Sequence, residues 1–281
     1  MKIAVMAGTP IDSQLGEDLL KKYGYKDIVK IPISKNPVEQ TTFQALDDSE
    51  REDIIVEIIN KIKEQQCSAI FVYCNSLSSV VDFDRLALEN KINIITPMQM
   101  YRNLGLEYKY LAVMAANSHG LTGVENNLYL SNPELKIFGL SMLELVKAIE
   151  EKNSPHKIVA DFDFENLFKY FEQTEVEAVV LGCTHFPYIK EELEKITKLS
   201  IIDVGIFMIE SLKKFLFLIQ RRPLTSDIVE FQSVYFLQLL TDITHKSHIS
   251  IGIHFQGSDI NIFKAFFLFT SFFLFLPPFL S

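Results

Sequence analysis

The sequence has little positive charge. Its 281 residues include 27 lysines and arginines against 36 aspartates and glutamates, for a formal net charge of -9. A protein that binds nucleic acid needs a basic stripe to neutralise the phosphate backbone. We therefore expect no nucleic-acid partner.

Cysteine is also scarce. Only Cys67, Cys74 and Cys183 are present, an odd number in a chain too long to need disulfide cross-links. The amino terminus, MKIAVMAG, lacks a charged region followed by a long apolar segment. We expect reduced thiols and residence in the cytoplasm.

The usual metal-binding spacings are missing as well. Cys183 and His185 could ligate zinc, but no CxxC or HxxxH pair accompanies them. His245, His248 and His254 offer no better pattern, and a redox disulfide would favour two cysteines close in sequence. The sequence therefore predicts neither a metal site nor a redox pair.

Short apolar runs alternate with amphipathic segments along residues 1–215. Strands are predicted where apolar runs end in polar loops, at residues 2–7, 28–33, 69–73, 92–95, 110–115, 136–140, 178–181 and 200–203. Helical spacing of isoleucine marks residues 49–65, and Asp12 or Ser13 can cap the helix after the first strand. Strand, loop and helix in this order indicate an α/β protein with doubly wound, mostly parallel sheets.

The two halves of this region repeat one plan, with a strand that ends in cysteine in each half. This weak duplication predicts two pseudo-symmetric lobes that face each other across a cleft. We assign residues 1–97 to the first lobe, 98–199 to the second, and about 200–215 to completion of the first.

Thiols stand at two predicted strand ends. Residues 69–73 are followed by Cys74, Asn75 and Ser76, and residues 178–181 by Gly182, Cys183, Thr184 and His185. Open α/β sheets bind ligands at the carboxyl ends of their strands. A single cysteine is most often a small buried hydrophobe, which is how we interpret Cys67. The two cysteines with polar neighbours instead indicate a functional site.

Two thiols suit proton transfer better than acyl transfer. A hydrolase that uses cysteine and histidine needs one thiol and leaves the second unexplained. Inversion of a carbon centre requires one group to remove a proton from one face and another to return a proton to the opposite face. A thiolate and a thiol in symmetric lobes can meet that requirement.

The cysteine motifs resemble those of the aspartate/glutamate racemase family. The resemblance rests on YCNSLSS at residues 73–79 and LGCTHFPYI at residues 181–189. Supporting similarity lies in AGTPIDSQLG at 7–16, IITP at 94–97 and AANS at 115–118, so that it covers about residues 1–215.

The resemblance implies a racemase that inverts a small-molecule amino acid, aspartate or glutamate, without pyridoxal phosphate or another cofactor. Cys74 and Cys183 would be the two bases, and His185 would assist Cys183. The candidate substrate-binding residues are Thr9, Asp12, Asn75, Ser76, Asn117, Ser118 and Thr184. Glutamate racemases usually carry an Asp-Ser pair after the first strand, where this chain has Ala7, Gly8 and Thr9, a loop more similar to that of aspartate racemases. The oligomeric state stays open, with a homodimer as one candidate.

Residues 216–281 depart from this plan. They hold 12 of the 23 phenylalanines and carry balanced charge, so that the first 215 residues carry the whole net charge. The apolar run 265–280 is shorter than the roughly 20 residues of a bilayer helix, so it is a marginal membrane candidate. Because family members generally end near residue 215, we expect an irregular apolar tail that arose by fusion or a shifted reading frame.

Two alternatives to the acidic amino-acid racemase stay open. One is a relative that uses cysteines at the same strand ends, such as a hydantoin racemase or a carboxylate isomerase. The other is an inactive enzyme or binding protein tethered by the apolar tail.

Overall fold

The computed structural model describes residues 1–220. The expectations for the tail beyond Gln220, with its three histidines and the apolar run 265–280, lie outside these residues. Within residues 1–220, no helix is long and apolar enough to cross a bilayer.

The first half forms a four-stranded parallel sheet in the order β2-β1-β3-β4. Its strands are β1 (Ile3–Ala7), β2 (Ile28–Pro32), β3 (Ala69–Val72) and β4 (Asn93–Ile95). Its helices are α1 (Pro10–Lys22), α2 (Pro37–Ala45), α3 (Asp48–Glu64), α4 (Asn75–Val80), α5 (Phe83–Asn90) and α6 (Pro97–Leu104).

The second half repeats this topology in the order β6-β5-β7-β8, again with all strands parallel. Its strands are β5 (Tyr110–Ala115), β6 (Lys136–Ser141), β7 (Ala178–Gly182) and β8 (Ser200–Ile202). The helices are α7 (Ser118–Ser131), α8 (Leu143–Glu150), α9 (Pro155–Asp161), α10 (Phe164–Glu172), α11 (Lys190–Ile196) and α12 (Val204–Gln220), with a 3-10 turn at Phe186–Ile189.

Each sheet is built around its apolar central strands. All residues of β1, β3 and β7 are buried, as expected for parallel strands covered by helices on both faces. On the first sheet, Ile55, Ile59 and Ile62 of α3 supply the packed helix face, at the helical spacing seen in the sequence. The α/β class and the two pseudo-symmetric, doubly wound sheets are therefore confirmed.

Three local features differ from expectation. The cap of α1 is Thr9, while Asp12 completes a capping box as the third helical residue. Helix α2 begins after the cap residue Asn36, in a stretch for which no helix was predicted. Residues 200–203, which we expected to complete the first lobe, contribute β8 to the second sheet beside β7.

The last described helix also extends beyond the expected boundary. Helix α12 continues through residues 216–220, which we had assigned to the irregular tail, and Leu216 is buried. It contacts α6 and β4 of the first half as well as β7 of the second.

Candidate active site

Cys74 lies at the carboxyl end of β3 and precedes the first turn of α4. Its Sγ atom is 3.6 Å from Ser76 Oγ and 3.6 Å from the amide nitrogen of Gln40. Burial raises the pKa of this thiol to about 11, with a further increase from Asp12, although the N–H groups of Leu77 and Gly8 favour the thiolate. Cys74 is therefore a neutral thiol surrounded by uncharged donors.

Cys183 occupies the equivalent place at the end of β7. Its Sγ atom is 3.7 Å from His185 Nδ1, and His185 Nε2 is 3.1 Å from Glu150 Oε1 at the end of α8. Burial raises the pKa of this thiol, and Asp12 and Cys74 raise it further, while the N–H groups of His185 and Phe186 oppose that rise. An imidazole backed by a carboxylate thus stands beside the second thiol.

Asp12 joins the two halves of the site. Its Oδ2 accepts hydrogen bonds from the N–H of Thr9 (3.2 Å) and from Thr9 Oγ1 (3.0 Å). Its Oδ1 accepts one from Thr184 Oγ1 (3.2 Å) and lies 3.5 Å from His185 Nδ1. Burial raises the pKa of this carboxyl group, and nearby His185 opposes the increase. The loop after β1 is thereby connected to the loop after β7.

The loop after β1 adjoins the surroundings of both thiols. Each thiol is itself buried in the apolar core of its own half. Gly8 of this loop packs against Gln40, which contacts Cys74, and Asp12 contacts Thr184 and His185 beside Cys183. One loop therefore connects two acid-base groups from different lobes, as a site that acts on both faces of one carbon requires.

The other predicted residues differ in burial and in the strand that they follow. Asn75 is buried, and its Oδ1 accepts a hydrogen bond of 2.8 Å from the Tyr101 hydroxyl. Asn117 Oδ1 caps α7 by accepting from the N–H of Gly120, and Ser118, the first residue of α7, is exposed. Both lie beyond the end of β5, the strand that pairs with β7. Cys67 is buried in the first core, as expected for a structural cysteine.

Sequence reasoning missed three contributors, namely Gln40, Tyr101 and Glu150. Gln40 lies in helix α2, in a segment for which the sequence predicts no functional residue. Tyr101 and Glu150 are 26 and 35 residues from their partners Asn75 and His185, and no local pattern in the sequence marks them.

The three arginines of residues 1–220 have partners other than the thiols. Arg51 donates to the carbonyl groups of Gln44 and Val80, Arg85 pairs with Glu89, and Arg102 pairs with Asp84. Arg51 and Arg102 also line a polar cleft of about 460 Å³ whose lining includes neither Cys74 nor Cys183. Within these residues, no group of three or more metal-ligating side chains is present.

Fold and site together define a class, a two-lobed α/β protein with a cysteine at the same strand end of each lobe. No family model matches the chain. Glutamate racemase 1 of Caldanaerobacter subterraneus subsp. tengcongensis is 26% identical over 210 residues, which cover 68% of this chain and 69% of that protein. Further curated glutamate racemases are 22–28% identical over 61–77% of their own lengths.

Solved structures show the same fold. Glutamate racemase from Francisella tularensis, in complex with D-glutamate, matches with a TM-score of 0.60 at 20% identity, over 84% of this chain and 93% of that one. An aspartate racemase homologue from Pyrococcus horikoshii matches with a TM-score of 0.56 at 14% identity, over 75% and 97%. Sequence relatives and fold thus confirm the resemblance to the aspartate/glutamate racemase family.

Proposed function

We propose that this protein is an amino-acid racemase that inverts Cα of an acidic amino acid, glutamate before aspartate, without a cofactor. The observation that carries the proposal is the pair of buried thiols of Cys74 and Cys183 at equivalent ends of β3 and β7. Glutamate is preferred because the curated relatives bear the name glutamate racemase.

The reaction needs one thiolate and one thiol. The thiolate forms an S–H bond as the Cα–H bond breaks, and the electron pair stays on the substrate as a carbanion stabilised by the adjacent carboxylate. The opposite thiol then gives its proton to the other face of Cα and becomes the thiolate. The two cysteines exchange roles after each turnover, so that the same groups serve both directions.

The substrate supplies part of the activation. Both thiols are neutral in the free site because burial disfavours their charged forms. An ammonium group bound between them favours thiolate formation, since an opposite charge within a few ångströms stabilises the charged state. His185, held by Glu150, is placed to accept or return a proton beside Cys183.

The substrate carboxylates are assigned to neutral donors. No arginine of residues 1–220 has a hydrogen bond to Cys74, Cys183 or their side-chain partners. Neutral donors are present instead: Asn75, Ser76 and Thr184 adjoin the cysteines in sequence, and Asn117 and Ser118 follow the neighbouring strand. Amide, hydroxyl and loop N–H groups can bind an anion without a cation. Because the mechanism requires reduced cysteines, we also assign the protein to the cytoplasm.

Deuterium exchange at Cα tests this function directly. The full-length protein is incubated in deuterated water with each enantiomer of glutamate and aspartate, and with hydantoin and allantoin substrates as a comparison. We expect solvent deuterium at Cα of the product enantiomer and fastest turnover with glutamate. Turnover of a hydantoin alone would overturn the substrate assignment, and absence of exchange with every compound would overturn the racemase assignment.

A further inference from the structure

Gln40 reaches the first thiol from helix α2. Its amide nitrogen is 3.6 Å from Cys74 Sγ and 3.2 Å from Ser76 Oγ. The chain separates Gln40 from Cys74 by 34 residues, so the contact depends on tertiary structure and not on the cysteine motif. The reaction proposed above gives this side chain no role.

Gly8 makes room for the approach. A Cβ atom at this position would lie 2.2 Å from the Gln40 amide nitrogen, closer than any real contact. The side chain therefore occupies the space left by the missing Cβ, next to a backbone N–H that also favours the Cys74 thiolate. Any larger residue at position 8 would displace the glutamine from the sulfur.

The chemistry of the amide fixes the direction of these contacts. An amide nitrogen only donates hydrogen bonds, so Ser76 Oγ is the acceptor from Gln40. The hydroxyl hydrogen of Ser76 is then available to Cys74 Sγ at 3.6 Å. Gln40 thus supplies one hydrogen bond to the sulfur itself and orients a second.

The helix that carries Gln40 is held in place near its carboxyl end. The guanidinium group of Arg51, which is buried, donates to the carbonyl oxygens of Gln44 and Leu46 at the end of α2 and of Val80 at the end of α4. Helix α4 follows Cys74 and contains Ser76. One arginine therefore connects the helix that bears the donor to the helix that bears its acceptor.

We propose that Gln40 is a catalytic hydrogen-bond donor that stabilises the Cys74 thiolate, as the uncharged counterpart of His185 on the Cys183 side. The proposal rests on the racemase function given above. It assigns to the Cys74 thiol a side-chain partner from outside its own sequence motif.

The first test needs no turnover. In full-length protein with Cys67→Ala and Cys183→Ala, Cys74 is the remaining thiol, and its alkylation by iodoacetamide is followed against pH. Gln40→Glu replaces a donor with a negative charge of similar shape. We expect about tenfold slower alkylation below the thiol pKa, the effect of a one-unit pKa rise. The matched control Gln44→Glu, one turn further along α2, should stay within about twofold of the parent.

An unchanged alkylation rate in Gln40→Glu would overturn the role of Gln40, whatever the racemase assay shows. Equal slowing in Gln44→Glu would do so too, because it would indicate a general effect of charge on α2. If racemisation is absent from the parent protein while the alkylation difference is present, the proposed function fails and the contact to Cys74 stands.

The second test separates the two faces of Cα. Gln40→Leu should slow proton transfer at Cys74 but not at Cys183. The primary isotope effect on kcat/KM with α-deuterated glutamate should then increase for the enantiomer that Cys74 deprotonates and decrease for the other. A purely structural role would not change the isotope effects of the two enantiomers in opposite directions. A change in the same direction for both, or no change, would therefore contradict the proposal.

Discussion

The surroundings of Cys74 and Cys183 differ although the two strand ends are equivalent by topology. Cys183 has an imidazole beside it, backed by the carboxylates of Glu150 and Asp12. Cys74 is surrounded by an amide, a hydroxyl and backbone N–H groups. Duplication of the fold therefore repeats the position of the thiol, whereas the side chains around each thiol differ and set its electrostatic environment.

Removal of either thiol tests whether both sides are needed. We expect Cys74→Ala and Cys183→Ala each to lower kcat by at least about 10³-fold, near the upper range for loss of an acid-base group. Cys67→Ala should retain activity, because this cysteine is buried in the first core. Circular dichroism of the substrate follows the reaction. Full activity without Cys74 or without Cys183 would show that the reaction does not need both thiols.

The pH dependence of kcat/KM tests whether burial raises the pKa of both thiols. The pKa of Cys74 is about 11, above its ordinary value of 9.0, and that of Cys183 is also raised. The thiolate fraction of the free enzyme therefore increases throughout the neutral range. We expect kcat/KM to increase by up to about tenfold per pH unit between roughly pH 7 and 9. A plateau beginning below pH 7 would show that one thiol is ionised in the free enzyme.

The pH dependence of thermal unfolding at alkaline pH tests the raised pKa values of the thiols independently of activity. Because burial raises the pKa of each thiol above its unfolded value, the folded state retains these protons to higher pH than the unfolded state does. Their contribution to the free energy of unfolding is complete below about pH 9 and decreases as pH rises toward 11. Cys74→Ala should weaken this alkaline loss of Tm, while the matched Cys183→Ala control tests the other side.

Glu150→Gln sharpens the comparison on the Cys183 side alone. The change keeps the shape but removes the charge that faces His185 Nε2 at 3.1 Å. We expect kcat to fall about tenfold, because the imidazole loses an ionic partner for the proton that it accepts from Cys183. The isotope effect should change in the sense opposite to that of Gln40→Leu. Glu151→Gln, at the adjacent exposed position, is the control and should leave kcat unchanged.

Tyr101→Phe should have the smallest effect. It removes the donor to Asn75 Oδ1 and leaves this buried oxygen without that hydrogen bond. We expect about 1 kcal/mol lower unfolding free energy and a KM a few-fold higher, since Asn75 is assigned to substrate. Chemical denaturation and initial rates measure both quantities. A large fall in kcat with unchanged KM would instead connect Tyr101 to proton transfer.

Much of the fold can be predicted from the sequence, because the spacing of apolar residues and the ends of strands are local properties. The apolar runs at β1, β3, β5 and β7 and the isoleucine spacing of α3 are visible without coordinates. The pairing of β8 with β7 is not, because a three-residue strand carries no mark of the sheet that it joins. Likewise, the local pattern gives Asp12 a capping role, whereas its bond to Thr184 spans 172 residues.

The same limit applies to the site. Cys74, Cys183 and His185 stand in contiguous motifs at strand ends, and their placement follows from the alternation of strands and helices. Gln40 and Glu150 are supplied by helices whose packing decides which side chain meets the sulfur or the imidazole. Partners of this kind become visible only when the helices of each lobe are packed on its sheet.

The double use of Asp12 has a consequence for protein engineering. One oxygen closes the first turn of α1, and the other receives a hydroxyl from the opposite lobe. A library screened at this position for heat resistance would at the same time sample how firmly the two lobes are held together. Substitutions of Asp12 that raise thermal stability should therefore also alter the rates of substrate binding and product release.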